Sequence, residues 1–179
     1  MVNLGMNKHQ SGKSKSTSWI TPREIIDELG PFDIDPCQCT PQPWPCADKG
    51  YTVNDNGLAQ PWHGRVWLNP PYGVEARQWL ERLAYHENGI ALIFARTETV
   101  LFHEWIWNMA DALFFFRGRI SFYNPDGTLA KSNAGAPSVL VAYGEYNADR
   151  LRDCNLDGKY VDLNPRCPKC LRRLTPRPK

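Results

Sequence analysis

The sequence predicts an open, doubly wound α/β sheet whose strands are mostly parallel. Short apolar runs alternate with segments of helical spacing, and several of these runs end directly at proline. One run, Ile90–Ala95, is apolar throughout, which is typical of a strand covered by helices on both faces of a parallel sheet. Strands that alternate with helices indicate a sheet built from strand–helix–strand units.

The first helix is predicted to begin at Thr21 and to end at Gly30. Thr21 is a candidate N-cap, Pro22 occupies the first helical position, and Glu24 completes a capping box. A glycine after the last apolar position is a common helix C-terminus. The buried stripe of this helix is predicted to consist of Ile25, Ile26 and Leu29.

The other elements follow from the same two periodicities. Strands are predicted at Phe32–Asp35, Arg65–Leu68, Ile90–Ala95, Leu113–Phe116, Arg119–Phe122 and Ser138–Tyr143. Helices are predicted from the spacing of Ala76, Trp79, Leu80 and Leu83, and around Val100–Met109. Residues 37–50 are rich in proline and cysteine, so we interpret them as an irregular loop. The closing pair of strands is a candidate for an antiparallel arrangement.

Composition describes a soluble domain whose charge is unevenly divided. The 179 residues contain no apolar run of the roughly 18 residues that a membrane span needs, and the polar N-terminus does not resemble a secretory signal. Residues 24–146 carry eight Lys/Arg against fifteen Asp/Glu, whereas residues 147–179 carry nine against four. We therefore divide the chain into a flexible basic lead (1–18), a main domain (19–146) and a basic C-terminal extension (147–179). Basic ends on an acidic body are suited to holding a polyanion, although solvated tails are an equal alternative.

The six cysteines are predicted to be thiols rather than a disulfide framework, because a chain without a secretory signal is expected in a reducing compartment. Cys167 and Cys170 have the spacing of half a zinc site, and Cys154 is a candidate third ligand. The tail lacks a histidine to complete the site, so we predict no metal ligands.

The segment Asn69-Pro70-Pro71-Tyr72 directly follows the predicted strand Arg65–Leu68. In open α/β sheets, ligands bind beyond the carboxyl ends of the strands. Two successive prolines restrict the backbone and remove two N–H donors, so the turn is rigid and presents carbonyl oxygens. Asn69 adds a side-chain acceptor and Tyr72 adds an aromatic plane. The alternative interpretation is a strand exit that is merely stiffened by proline.

Two acceptors beside a ring suit the exocyclic amino group of a planar base. Its nitrogen is a weak nucleophile because the lone pair is delocalised into the ring. Acceptors that hold both N–H groups favour a more tetrahedral nitrogen and direct its lone pair toward an electrophile. A sulfonium methyl group is an electrophile that needs no strong general base, so positioning and electrostatics would supply most of the rate.

Several short motifs occur in order and together resemble the small phage-type DNA N6-adenine methyltransferases. They are Trp19-Ile-Thr21-Pro22, Phe32-Asp-Ile-Asp35-Pro36-Cys37, Tyr51-Thr-Val-Asn-Asp55-Asn56-Gly57-Leu58, Trp62, Val66-Trp67-Leu-Asn69-Pro70-Pro71-Tyr72, Ala95-Arg96-Thr97 and Arg119-Ile-Ser-Phe122. The resemblance covers roughly residues 19–143 and implies the fold of S-adenosylmethionine-dependent methyltransferases. A Gly-x-Gly loop after the first strand is missing, which leaves the contacts to the adenosine of the cofactor open.

The resemblance also implies roles for individual residues. Asn69 and the Pro70 carbonyl would bind the adenine N6 amino group within the turn that includes Pro71, and Tyr72 would stack on the base. Asp35 would lie near the methionine part of S-adenosylmethionine. The implied cofactor-binding residues are Trp19, Thr21, Pro22, Asp35, Pro36, Asp55 and Asn69. Arg96 and Thr97 would line the pocket or contact DNA.

The implied function is methyl transfer from S-adenosylmethionine to adenine N6 in double-stranded DNA. The expected location is the cytoplasm of a bacterium or of a phage-infected host, in a restriction–modification setting. One alternative is another amino acceptor, namely guanine or cytosine in nucleic acid or a protein glutamine. A second is a DNA-binding protein without enzymatic activity.

Overall fold

A computed structural model describes residues 19–131 and 133–164, which form a seven-stranded mixed sheet with helices on both faces. The strands are β1 Ile34–Asp35, β2 Lys49–Gly50, β3 Val66–Leu68, β4 Gly89–Phe94, β5 Ala112–Phe116, β6 Ser138–Tyr143 and β7 Gly158–Asp162. The helices are α1 Arg23–Leu29, α2 Ala76–His86, α3 Val100–Phe102 with a π-helical continuation at His103–Trp107, and α4 Glu145–Arg152.

The strands lie in the order β2-β1-β3-β4-β6-β5-β7. The pairings β2–β1, β1–β3 and β3–β4 are parallel, and the pairings β4–β6, β6–β5 and β5–β7 are antiparallel. The prediction of a mostly parallel sheet is therefore only partly confirmed. Only β6 and β7 are reversed, but they flank β5 on both sides, so the half of the sheet beyond β4 is antiparallel.

The doubly wound arrangement is visible in two cores. On one face, the apolar side of α1 and α4 packs against alternate residues of the central strands, including Trp67, Leu92 and Leu140. On the other face, α2 and α3 pack against the intervening residues, including Leu68, Ile93 and Val141. Because both faces are covered, β4 and β6 are apolar along nearly their whole length.

The capping box predicted for α1 is wrong, whereas the predicted end of the helix is confirmed. Pro22 is the N-cap and no side chain caps the helix. Thr21 is buried, and its hydroxyl instead accepts a hydrogen bond from Asn69 at 3.4 Å. At the other end, the Gly30 N–H donates to the carbonyl oxygen of Ile26 at 2.7 Å.

Three further elements differ from the predictions. Arg119–Phe122 is not a strand, because this segment turns away from the sheet and only Tyr123, which follows it, forms isolated bridges. The segment 37–50 is irregular except at its end, where β2 pairs with β1. Residues 147–164, assigned to the C-terminal extension, contribute most of α4 and all of β7. Their sequence shows no apolar run, because β7 is a partly exposed edge strand. The lead 1–18 and the pair Cys167 and Cys170 lie outside the described residues.

None of the helices in the described part of the chain has the length and apolar character that a membrane crossing requires.

Arg65 is buried directly before β3, and its hydrogen bonds connect this strand to α1 and α4. Its Nη1 donates to the carbonyl oxygens of Leu29 at 2.7 Å and Pro31 at 2.8 Å, and its Nε donates to Asn147 Oδ1 at 2.6 Å. The guanidinium also lies 4.2 Å from the centroid of the Phe32 ring. Burial lowers the pKa of Arg65 to about 10, which still leaves it charged at neutral pH.

We expect Arg65→Met to lower the free energy of unfolding by about 3 kcal/mol, because two buried acceptors and the partly buried Pro31 carbonyl lose their donor. Arg77→Met is the matched control, since Arg77 is half exposed and pairs with Glu104 at 2.7 Å; its loss should cost less than about 1 kcal/mol. Urea denaturation of both variants measures the difference. Equal losses in the two variants would show that Arg65 has no special structural role.

Candidate active site

Three parallel strands carry polar or aromatic residues at their carboxyl ends, which lie on the same side of the sheet. Asp35 is the last residue of β1, Asn69 immediately follows β3, and Phe94 ends β4. The register pairs Ile34 with Val66 and Leu68 with Ala91, so these strands end close together. The carboxyl ends of parallel strands in such sheets are the usual place for a ligand.

The side-chain amide of Asn69 has a defined orientation. Its Nδ2 donates to the Trp19 carbonyl oxygen at 2.9 Å and contacts Thr21 Oγ1 at 3.4 Å. Its Oδ1 is buried and has no hydrogen-bond partner among the described residues. A buried acceptor without a donor is uncommon in folded proteins, and a catalytic role is one of its recognised explanations. The oxygen available to a ligand is therefore the acceptor that the sequence hypothesis requires.

The turn after Asn69 carries an aromatic ring that stacks on the last residue of β4. Pro70 is buried, Pro71 is half-buried, and the Tyr72 ring stacks on Phe94 with centroids 4.0 Å apart and an interplanar angle of 11°. The Tyr72 hydroxyl is buried without a partner among the described residues, and burial raises the pKa of Tyr72. The hydroxyl thus stays protonated, and Phe94 supports the ring from one side.

Asp35 brings a carboxyl group that changes charge near neutral pH. The residue is 4% exposed, and its Oδ1 accepts the Cys37 N–H at 3.0 Å. Burial raises the pKa of Asp35 to about 7, and the hydrogen bond from Cys37 offsets only part of this effect. A cationic group bound next to the Asp35 carboxyl would favour the ionised form.

A small pocket, part of it open to solvent, lies beside Asp35 and Asn69. It is lined by Trp19, Ile20, Thr21, Asp35, Cys37, Cys39, Gln42, Cys46, Trp67 and Asn69. Four residues of the predicted site, Trp19, Thr21, Asp35 and Asn69, therefore come together around one pocket.

Other members of the predicted site lie outside this lining, and they include Pro70, Pro71 and Tyr72. Pro22 is buried at the start of α1, and Pro36 is buried directly after β1. Asp55 is exposed, and its Oδ2 accepts hydrogen bonds from the Thr52 hydroxyl at 2.7 Å and the Thr52 N–H at 2.8 Å. These hydrogen bonds lower the pKa of Asp55. Arg96, which follows β4 at the same edge, is exposed.

Gln42, Trp67 and Cys46 also line the pocket, although no sequence motif predicted a role for them. Trp67 stands two positions before Asn69 on β3, so the strand period of two places both on one face and could have indicated it. Its Nε1 is buried without a partner among the described residues. Gln42 has no such signal, because it lies in an irregular loop and reaches the pocket only through folding. Its Oε1 accepts the Cys39 N–H at 3.0 Å, and its NH₂ group faces Asp35, where it lowers the pKa of that carboxyl.

Within residues 19–131 and 133–164, no group of three or more histidine, cysteine or acidic side chains is arranged to hold a metal ion.

Comparison with known proteins gives one match. The family model described as DNA N-6-adenine-methyltransferase (Dam) matches residues 8–160, which includes every strand except the last two residues of β7. No curated protein and no solved structure matches the chain.

Proposed function

Because the chain belongs to the DNA N-6-adenine-methyltransferase (Dam) family, we propose that it transfers a methyl group from S-adenosylmethionine to the N6 amino group of adenine in double-stranded DNA. The observation that carries this proposal is the Asn69 amide. Its nitrogen is engaged by the Trp19 carbonyl, so its buried oxygen is left as an acceptor at the start of the turn that carries Tyr72. The seven-stranded sheet is compatible with the methyltransferase fold that this proposal requires.

The pocket residues fit the amino-acid part of the cofactor. Asp35, with Gln42 beside it, supplies a carboxylate for an α-ammonium group, while the Trp67 indole N–H supplies a donor for an α-carboxylate. S-adenosylmethionine would contribute a sulfonium methyl group, whose leaving group is good enough to make covalent catalysis by the protein unnecessary. Pro22, Pro36 and Asp55 remain proposed cofactor neighbours, with Asp55 the least supported because its carboxylate is held by Thr52.

In the proposed mechanism, Asn69 Oδ1 and the Pro70 carbonyl accept the two N–H groups of adenine N6. This would direct the nitrogen lone pair out of the ring plane, so that the N6–CH₃ bond would form as the methyl–sulfur bond breaks, the thioether product would leave, and N6 would lose one proton to solvent. The base must first leave the DNA helix at a cost of roughly a few kcal/mol. Stacking on Tyr72, supported by Phe94, offsets part of that cost, since base–aromatic stacking contributes about 1–3 kcal/mol.

The experiment that tests the function is incubation of the full chain with double-stranded DNA and isotopically labelled S-adenosylmethionine. Mass spectrometry of the digested nucleosides is expected to show labelled N6-methyladenine. Parallel reactions with RNA and protein test the other acceptors. Labelled methylcytosine, methylguanine or methylglutamine in place of N6-methyladenine would overturn the substrate assignment. DNA binding without any cofactor binding would favour the non-enzymatic alternative.

We expect Phe94→Leu to raise KM for DNA about 2- to 10-fold, because the stacked partner of Tyr72 is lost while apolar volume is kept. The affinity for S-adenosylmethionine should not change. Phe94→Tyr keeps an aromatic ring at this position, so its KM for DNA should equal that of the wild type. Phe116→Leu is the matched control, because Phe116 is also half-buried at the end of a strand but contacts Phe114 rather than Tyr72. Steady-state kinetics on all three variants checks this. An unchanged KM in Phe94→Leu would exclude the supporting role.

The proposed setting is the cytoplasm of a bacterium or of a phage-infected host, where methylation would protect DNA within restriction–modification. The basic segments 1–18 and 147–179 are proposed to hold DNA phosphates beside the acidic main domain.

A further inference from the structure

The connection between β5 and β6, residues 117–137, is much longer than a link between two adjacent antiparallel strands needs to be. Antiparallel neighbours can be joined by two to five residues, and long connections in compact domains are commonly functional. The register pairs Phe115 with Val139 and Phe94 with Ser138. The connection therefore leaves and rejoins the sheet at the edge that carries Asn69 and Asp35.

Its central part is an ordered hairpin, which we define as Phe122–Ala130. The Ala130 N–H donates to the Phe122 carbonyl oxygen at 2.9 Å, and the Asn124 N–H donates to the Thr128 carbonyl oxygen at 2.8 Å. At the tip, Asp126 Oδ1 accepts the Thr128 hydroxyl at 2.6 Å. The turn is thus held by its own side chains, and it can present them in a defined geometry.

The base of the hairpin is linked to the site. Tyr123 exchanges two backbone hydrogen bonds with Ile20, at 2.9 and 3.0 Å, and its ring meets Trp44 edge-on with centroids 5.0 Å apart. Ile20 directly follows Trp19, whose carbonyl oxygen orients Asn69. The backbone of Trp19 and Ile20 therefore connects the hairpin to Asn69, so a ligand that contacts the hairpin has a fixed position relative to the Asn69 acceptor.

The charge of the connection is opposite to that of the surrounding domain. Residues 117–137 contain three cations, the exposed side chains Arg117, Arg119 and Lys131, against the single acid Asp126. Residues 24–146 as a whole are acidic. Leu129, 56% exposed, adds an apolar contact on the hairpin. Cations flanking a rigid turn with polar and apolar groups suit a nucleic-acid duplex, because phosphate contacts position a protein and contacts to base edges specify sequence.

We infer that the hairpin Phe122–Ala130 contacts the DNA beside the target adenine and sets the sequence preference, while Arg117 and Lys131 hold the neighbouring phosphates. This inference rests on the proposed function and assigns the reading of sequence to an element of the main domain. Arg119 braces the connection by donating to the Ala134 carbonyl oxygen at 3.2 Å, so it is kept intact in the test.

The first experiment measures the salt dependence of duplex binding for the full chain. Each phosphate contact contributes a slope of about 0.9 in the plot of log affinity against log salt. The double variant Arg117→Ala/Lys131→Ala should lower this slope by about two, with an unchanged affinity for S-adenosylmethionine. Arg77→Ala is the control, because Arg77 pairs with Glu104 at 2.7 Å, lies outside the basic segments and should leave the slope unchanged. An unchanged slope in the double variant would overturn the phosphate contacts.

The second experiment maps methylated adenines in a random-sequence duplex library. Leu129→Ser combined with Asp126→Ala should change the distribution of bases flanking the methylated adenine at least several-fold. Val53→Ser, a change at a 90% exposed position on another loop, should leave the distribution unchanged. An unchanged distribution in the hairpin variant, with an active wild type, would overturn the assignment of sequence reading. Absence of methyladenine with the wild type would instead contradict the proposed function.

Discussion

Replacing Asn69 with alanine is expected to lower the rate of methyl transfer to adenine by at least about 100-fold, the scale seen when one preorganised group that stabilises a transition state is removed. The variant loses the Oδ1 acceptor, so the N6 nitrogen keeps its lone pair in the ring. Tyr72→Ala is expected to cause a comparable loss, because the displaced base then has no ring to stack on. Single-turnover assays with saturating cofactor measure the chemical step directly.

The controls for this prediction separate chemistry from folding. Asn69 Nδ2 also holds the Trp19 carbonyl, so the melting temperature of Asn69→Ala must be compared with that of the wild type. Asn54→Ala removes an exposed asparagine side chain from another loop and should retain full activity. Full activity in a folded Asn69→Ala variant would refute the proposed chemistry.

Asp35→Asn is expected to abolish detectable binding of S-adenosylmethionine and at the same time to stabilise the protein. Folding raises the pKa of Asp35 from 3.8 to about 7, so the folded state binds this proton more tightly than the unfolded state. The contribution of Asp35 to the free energy of unfolding therefore falls as the pH rises from about 4 to 7. Asparagine does not titrate, so the variant should gain nothing near pH 4 and up to about 4 kcal/mol above pH 7.

The wild type should also bind the cofactor more weakly as the pH falls below about 7, by up to tenfold per pH unit, because the protonated carboxyl cannot pair with an ammonium group. Calorimetry at pH 6, 7 and 8 measures the affinity, and urea denaturation at pH 4 and 8 measures stability. Asp48→Asn, an exposed acid before β2, should alter neither quantity. Equal cofactor affinity in Asp35→Asn and the wild type would contradict the proposed role of Asp35.

Local patterns were sufficient for most of the secondary structure. Their apolar runs predicted the bounds of β4 and β6 to within one residue. The helical spacing of apolar residues predicted the first turns of α2. Elements without an apolar run were missed, as α4 and β7 show. A partly exposed edge strand such as β7 needs only one neighbour, and its sequence carries little sign of that neighbour.

The sequence by itself determined the alternation of strands and helices and the stiff Asn69-Pro70-Pro71-Tyr72 turn at a strand end, because these depend on residues that are close along the chain. Tertiary structure alone decided that β6 inserts between β4 and β5, that Gln42 reaches the pocket of Asp35, and that Thr21 meets Asn69 instead of capping α1. These features depend on contacts between segments far apart in the chain, and periodicity within one segment does not specify which distant segment will satisfy its polar groups.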